Sequence, residues 1–441
     1  MANDTIAACA TGAVRAAVGI LRVSGPDALA VSRAVFRGRR TEPRKLCFGS
    51  FRVDGEKVDE GLFAYMPGPA SYTGEDTVEL YCHGSPGLIA VLLDALYRAG
   101  ARPAAPGEFT RRAFENGKLD LAQAEAVIDL IDSETRAAAK NAAAQLSGAL
   151  GKKLSPVRDS LVGLAAHFSA VIDYPDDDVP EFFAEDAQKT LRDAEAALGK
   201  LLESVRDGAL LRDGAVCVLA GAPNAGKSSL LNALSGEDRA IVTPVPGTTR
   251  DVIESRVVWE GIAVRLTDTA GLRESADPIE REGVARSERA IRDADLVLAV
   301  FDGSQERAEP LRIPDGVPVI AVVSKCDLAP RLPAPPYDTL VRVSAKTGEG
   351  LSDLKRAMIR ALRLTDVVSD GTAVTNPRQA SALARAQERV RGAAEALSRG
   401  VTPDAVMTEV EEAAEILGEI TGEHASEDIL SAIFSRFCVG K

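Results

Sequence analysis

The chain has 441 residues, room for two or three domains, and 46% are hydrophobic while only 4% are aromatic, which suits Ala-, Leu- and Val-rich cores built on helices and parallel sheet. With 52 Lys and Arg against 65 Asp and Glu, the net charge of −13 repels nucleic-acid phosphates, so any RNA binding needs a local basic patch or a partner. Six scattered cysteines without a C-x-x-C pair, and three distant histidines, argue against a disulfide framework or a zinc site.

The amino-terminal MANDTIAACATG lacks the basic flank and apolar run of a secretory signal, and no segment approaches about 18 uninterrupted apolar residues. A soluble cytoplasmic protein, with no membrane association, is expected. Residues 1–117 mix β-rich runs (VGILRVSG, GLFAYM, TVELYCHG) with Gly and Pro turns and one amphipathic stretch, GLIAVLLDALYRAG, closed by Gly100, the pattern of a compact α+β domain. Cys82 and His83 adjoin at a strand end, where neighbouring side chains point to opposite faces.

Residues 118–213 turn Ala-rich and periodic: Leu121, Ala124, Ile128 and Ile131 recur at three- and four-residue spacing, which predicts helices. The acidic run DYPDDDVPEFFAED (173–186) carries prolines and no ligand spacing, so it reads as a solvated loop rather than a cation site. Over 214–364 short apolar strands (AVCVLA, AVRLT, LVLAVF, PVIAVVS, TLVRVS) alternate with helices, which predicts a doubly wound, mostly parallel sheet. Helical character returns over 365–441. The fold class is thus multidomain α/β, with a helical domain split by an inserted α/β domain.

GAPNAGKSSL (221–230) follows AVCVLA and opens a helical pattern, the context of a phosphate-binding loop. Asn224, Ala225, Gly226 and Ser229 line it, Lys227 reaches the β- and γ-phosphates, and the Ser228 hydroxyl ligates Mg²⁺. In SKCD (324–327), beside Ser324 and Lys325, the Asp327 carboxylate can accept both N1–H and the exocyclic amine of guanine, a donor pair adenine lacks. GTP is therefore favoured over ATP. SAK (Ser344, Ala345, Lys346) follows another strand, where a backbone N–H can donate to guanine O6. DTAG (Asp268, Thr269, Ala270, Gly271) ends a strand, with Asp268 facing the Mg²⁺ shell and the Gly271 amide the γ-phosphate; GTTRD (247–251) supplies a second Mg²⁺-side hydroxyl, assigned to Thr249. Leu272 follows DTAG, and an aliphatic side chain cannot orient water, so another residue must.

Through DTIAACAT, ILRVSG, SYTGEDTVEL, APGEFTRRAFENGKLDLAQAEAV, GAPNAGKSSLLNAL and FCVGK, the chain resembles the MnmE/TrmE tRNA-modification GTPases over its whole length. The resemblance implies a GTPase that helps install a carboxymethylaminomethyl or aminomethyl group on carbon 5 of the wobble uridine of certain tRNAs. It implies an FAD-containing partner protein in a heterotetramer, tRNA held mainly through that partner, and a homodimer formed through residues 1–117. The implied one-carbon donor is 5,10-methylene- or 5-formyl-tetrahydrofolate, in an N-terminal folate-binding domain where Arg22, Glu79, Lys118 and Lys441 match the contacts. A K⁺ ion is implied at Asn224, Thr243, Val245 and Thr248, and it would supply the positive charge that an arginine finger provides elsewhere. Glu280 matches the water-orienting glutamate. Two places depart from the family: Ser324 stands where asparagine is usual, and ATGAVRAAVG replaces a Pro- and Gly-rich stretch.

The ending FCVGK raises a choice between a prenylated switch and a retained catalytic thiol. Gly440 is not aliphatic, Lys441 is an unusual last residue and no polybasic segment precedes Cys438, so the thiol is expected to serve chemistry. We expect a strand-free tail, anchored by Phe434 and Phe437, that folds back so that Cys438 and Lys441 complete a pocket begun by Arg22, Glu79 and Lys118. A ribosome-assembly or translation-associated GTPase would share the phosphate-loop features, but it accounts for neither the N-terminal domain nor FCVGK.

Overall fold

A computed structural model describes residues 4–12, 14–38, 42–173, 184–237, 254–268, 288–307, 311, 313–314, 316–328, 331–367, 371–423 and 425–440. The chain forms two compact units, one of residues 1–128, 145–195 and 382–441, the other of 129–144 and 196–381.

The first unit holds a seven-stranded sheet of β1 (Ile6–Cys9), β2 (Val18–Ser24), β3 (Phe36–Gly38), β4 (Cys47–Val53), β5 (Glu56–Met66), β6 (Thr77–His83) and β7 (Arg102–Pro103). Its order is β3-β4-β5-β6-β2-β1-β7, antiparallel except for the β1–β7 pair. Side-chain alternation divides β1 between two cores. Ala7 and Cys9 join Leu21, Val23 and Leu80 under the helices α1 (Ala28–Val35) and α2 (Pro86–Arg98). Ile6 and Ala8 face the other way, onto Ala104 and Phe109, the latter from α3 (Glu108–Glu115). Helix α2 forms where the amphipathic stretch predicts it, and Cys82 is buried while His83 is exposed, as adjacent strand residues should be.

The predicted helical stretch folds as α4 (Leu121–Asp132), α5 (Arg136–Leu146), α6 (Ala149–Asp173), α7 (Ala184–Glu203) and α8 (Val205–Asp213). Most of the acidic run lies outside the described residues. Helices return at Pro377–Ser398, Pro403–Thr421 and Glu427–Phe434, and α6 packs against Pro403–Thr421 within the first unit.

The second unit carries β8 (Ala215–Gly221), β9 (Glu254–Trp259), β10 (Ile262–Asp268), β11 (Leu296–Asp302), β12 (Val319–Ser324) and β13 (Leu340–Arg342), in the order β13-β12-β11-β8-β10-β9. All neighbours are parallel except the β9–β10 hairpin. Six successive residues of β11 are buried, as a parallel strand covered on both faces requires. Segments flanking the sheet region are tied together within this unit: Thr375 Oγ1 donates to Asp129 Oδ2 at 2.7 Å, and the Val374 amide to Ser204 Oγ at 3.2 Å. Gly208 in α8 allows this approach, since a Cβ there would stand 2.0 Å from the Val374 carbonyl oxygen.

An ion network centred on a buried arginine pins the first unit's amino-terminal strand. Arg112 is 4% exposed and pairs with Asp4 (2.7 Å), Glu75 (3.1 Å) and Glu108 (3.1 Å), while Arg102 pairs with Asp4 and Glu108, both at 2.6 Å. The hydrogen bond from Arg102, with that from Arg112, holds the Asp4 carboxyl below the usual carboxylate range. Burial pushes Glu108 up, but hydrogen bonds from Arg102, the Ala105 amide and Arg112 outweigh it and leave the group lowered. Carboxyls depressed in the folded state stabilise it above their unfolded pKa, and that contribution is lost as pH falls through the folded value. Protection of the β1 and α3 amides, exchange taken relative to its intrinsic rate at each pH, is therefore expected to be steady above about pH 5 and to fall below about pH 4. In Arg112→Leu, protection should already be low at neutral pH and change less on acidification; an unaltered pH response of the protection would show that the network does not hold β1.

Candidate functional site

In the second unit the carboxyl ends of the parallel strands converge, as the register pairs Val300 with Gly221, Asp268 with Leu219 and Asp302 with Ser324. The strand order reverses at β8, and open parallel sheets bind ligands at that crevice. The loop from Gly221 leads into α9 (Lys227–Glu237), so its amides and the helix dipole face the same point. Asn224 and Gly226 hold positive φ, 62° and 93°, which curls the loop around its own amides. Lys227 is 5% exposed, and its ammonium donates to the carbonyls of Gly221 (3.0 Å) and Ala222 (2.8 Å), within the loop where phosphates would seat. Ser228 Oγ donates to Asp268 Oδ2 at 2.7 Å. A hydroxyl and a carboxylate meeting at the loop's helix end fit the oxygen ligation of Mg²⁺.

The base end is built by three motifs around a cavity of about 300 Å³ lined by Ser229, Lys325, Asp327, Leu328, Ala345 and Lys346, among others. Ser344, fully buried, donates its hydroxyl to Asp327 Oδ1 at 2.7 Å and accepts the Thr347 amide at 3.2 Å. One carboxylate oxygen is thereby anchored and the other is left to the cavity. Lys325, at φ 57°, donates to the Asn224 carbonyl (2.9 Å) and to Asp302 (2.6 Å). Burial opposes ionisation of Asp302, but hydrogen bonds from Lys325 and Ser304 hold its carboxyl down at about 2.

Ser324 is 4% exposed, and its hydroxyl lies 2.6 Å from the Ala225 carbonyl and 3.0 Å from that of Phe301. The short side chain thus reaches the phosphate loop directly.

In the first unit the carboxyl-terminal tail meets the N-terminal sheet. Phe434 and Phe437, 3% and 5% exposed, pack with Leu121 and Phe114. Val439 forms an antiparallel bridge with Pro106, and the Gly107 amide donates to the Cys438 carbonyl at 3.5 Å. The tail expected to be strand-free therefore makes one strand-like pairing, which gives its peptide groups partners beside the sheet. Gly440 has φ 104°, and a Cβ there would stand 2.2 Å from the Cys9 carbonyl oxygen, so the penultimate position of Cys-x-Gly-Lys accepts only glycine. Arg22 donates from Nη1 to the Gly440 carbonyl at 3.4 Å and pairs through Nε and Nη2 with Glu79 Oε1 at 3.1 and 2.9 Å. Cys438 is exposed beside this pair's tail contact, and Lys118 donates to the Pro69 carbonyl at 3.1 Å.

The predicted nucleotide residues from Asn224 to Ser229, with Asp268, Ser324, Lys325, Asp327, Ser344, Ala345 and Lys346, come together in the second unit. Arg22 and Glu79 meet the tail in the first. Thr243, Val245, Thr248, Thr249, Thr269, Ala270, Gly271, Leu272, Glu280 and Lys441 lie outside the described residues. Sequence reading missed Asp302, which orients Lys325, and the aromatic rings of Tyr72 and Phe109, 5.4 and 5.7 Å from the Arg22 guanidinium. It also missed Tyr81, whose hydroxyl donates to Glu79 Oε2 at 2.7 Å and whose place two residues after Glu79 on one strand was the available signal.

Two sequence families match this chain: one described as the GTP-binding protein TrmE N-terminus over residues 5–118, the other as the MnmE helical domain over residues 121–438. The chain belongs to the MnmE family of tRNA modification GTPases. The tRNA modification GTPase MnmE of Roseiflexus sp. (strain RS-1) is 44% identical to it over 462 residues, covering 100% of this chain and 99% of that protein. That of Akkermansia muciniphila is 44% identical over 446 residues, covering 99% of each. Among solved structures, the G domain of the T. maritima FeoB iron transporter aligns with 33% of this chain and 98% of its own at 26% identity, with a TM-score of 0.23. As a member of the family, the protein is a GTP hydrolase that acts in tRNA modification. Among the described residues no helix is long and apolar enough to cross a membrane.

The Ser324 geometry yields a prediction about the family departure. Ser324→Ala should weaken GTP binding by about 1 kcal/mol, the scale of one net hydrogen bond, because it frees the loop carbonyl it serves. Restoring the usual side chain, Ser324→Asn, should change affinity by less than that, since the serine already reaches Ala225. Fluorescent-nucleotide titration checks both, and a tenfold gain in the asparagine variant would show that the serine leaves a contact unmade.

Proposed function

We propose that the chain is a K⁺-activated GTPase which, with an FAD-containing partner protein, adds a carboxymethylaminomethyl or aminomethyl group to carbon 5 of the wobble uridine, position 34, of certain tRNAs. The carbon comes from a 5,10-methylene- or 5-formyl-tetrahydrofolate. The observation that carries this reading is the meeting of the Cys-x-Gly-Lys tail with the Arg22–Glu79 pair, because it brings the segment that bears a thiol to a charged pair on the N-terminal sheet.

In this reading Ser228 and Thr249 hold Mg²⁺ on GTP, and Asn224, Thr243, Val245 and Thr248 hold K⁺ against the phosphates, where a fixed cation stabilises charge developing in the transition state. Glu280 orients the attacking water, a task closed to Leu272. Asp327 reads guanine through its paired N–H donors, with Ser344 fixing its other side. Arg22, Glu79, Lys118 and Lys441 hold the reduced folate, Arg and Lys toward its carbonyl, formyl or glutamyl oxygens. Cys438 supplies a thiol to the modification chemistry. The net charge of −13 favours tRNA held mainly by the partner. The protein works in the cytoplasm as a homodimer through residues 1–117, in a heterotetramer with the partner. Its parts are a folate domain at 1–117, a helical domain at 118–213 and 365–441, and an inserted G domain at 214–364.

Two measurements test this. GTP hydrolysis should be at least about tenfold faster in KCl than in NaCl at equal ionic strength, on the scale of one lost transition-state charge contact; equal rates would remove the K⁺ site. Truncation after Phe437 should abolish wobble-uridine modification, read by mass spectrometry of tRNA nucleosides, while GTP hydrolysis persists. Full modification by the truncated protein would exclude the tail from the chemistry.

A further inference from the structure

We propose that Tyr81 determines specificity in the reduced-folate site: it occupies one acceptor position of Glu79 and so limits that carboxylate to a single N–H of the pterin ring. The inference rests on the folate reading above. An ionised carboxylate has about four acceptor positions. Oε1 of Glu79 accepts Nε and Nη2 of Arg22 at 3.1 and 2.9 Å, and Oε2 accepts the Tyr81 hydroxyl at 2.7 Å. These three bonds leave one position, on Oε2.

Neither neighbour gives way readily. The Arg22 guanidinium lies over the Tyr72 and Phe109 rings, at 5.4 and 5.7 Å from their centroids, and the Tyr72 hydroxyl is itself bonded to Thr110 at 2.8 Å. The side chains of Arg22 and Glu79 are 13% and 16% exposed, so parting them would strand charges with little water to replace the lost partner. Burial and the adjacent Glu79 push the Tyr81 phenol up to about 12, which keeps it protonated and donating at neutral pH. Tyr81 and Glu79 also project from the same face of β6, so the contact follows from the strand itself.

A pterin offers a ring N–H flanked by a carbonyl on one side and an exocyclic amine on the other. With one position open, Glu79 takes the ring N–H, and the remaining N–H groups of Arg22 suit the carbonyl. The amine then has no acceptor on Glu79. A carboxylate with two free positions would instead take the ring N–H and the amine together.

The test is calorimetric titration of the full chain with 5-formyltetrahydrofolate and with its 2-desamino analogue, for the unaltered protein, Y81F and E79Q. Removing the phenol hydroxyl opens the second position, so the ratio of the two Kd values should shift by about fivefold or more toward the amine-bearing ligand in Y81F. A ratio unchanged from the unaltered protein, whether both affinities hold or fall together, overturns the proposal, because a purely structural role would move both ligands alike. If the unaltered protein binds neither compound, or E79Q binds the parent compound as tightly as the unaltered protein does, the folate reading itself fails and the proposal with it.

Discussion

The first unit is closed by a contact between the two ends of the chain. Gly440 lies against the backbone of Cys9 so closely that no side chain fits, and Arg22 reaches from the next strand to the Gly440 carbonyl. Two residues cannot hold a terminus by themselves, because ordering each backbone residue costs about 1–2 kcal/mol. The burial of Phe434 and Phe437 in the cluster with Leu121 provides the offset, and phenylalanine side chains of this kind stabilise by about 1.5–3 kcal/mol each when fully buried. The aromatic anchor and the glycine divide the labour: one supplies free energy, the other supplies room. The exposed thiol of Cys438 is then carried at a fixed place on an ordered segment instead of on a loose end.

The nucleotide site depends on a comparable economy of short links. The phosphate loop is tied to the next strands by Ser324 on the Ala225 carbonyl and by Lys325 on the Asn224 carbonyl, and Lys325 is oriented by Asp302 at the end of β11. The loop after β12 and the loop before α9 are therefore one mechanical unit. A ligand that fixes Asp327 also fixes its neighbours on the loop after β12, whose side chains hold the loop that carries the phosphates.

These two regions differ in how far the sequence discloses them. The phosphate loop, its strand and its helix occupy one contiguous stretch, so local rules place all three, and the apolar runs from β8 to β13 announce a buried parallel sheet. Arg22 and Glu79 were drawn to one site only by resemblance, since neither departs from an ordinary surface charge when read alone, and their pairing appears only in the structure. The contact of Arg22 with the Tyr72 and Phe109 rings could not be read at all, because its members come from three separated segments and meet only after the sheet has formed. The same holds for Arg112, an arginine on a charged-looking helix that proves nearly buried because Asp4, Glu75 and Glu108 surround it. Tyr81 is intermediate, as alternation along TVELYCH fixes its face but not the hydrogen bond it makes.

Both carboxylates proposed above to read a ligand are pinned by a neutral hydroxyl, Asp327 by Ser344 and Glu79 by Tyr81, at 2.7 Å in each case. A hydroxyl donor orients the carboxylate without bringing a second positive charge, so the group keeps its attraction for N–H donors on a ligand. What separates the two sites is the arginine. Asp327 carries the serine bond on one oxygen and keeps enough positions for two guanine N–H groups, whereas Glu79 gives two positions to Arg22 before any ligand arrives. The same side-chain chemistry is thereby set to different capacities by its neighbours, and acceptor count, not charge, distinguishes the two carboxylates.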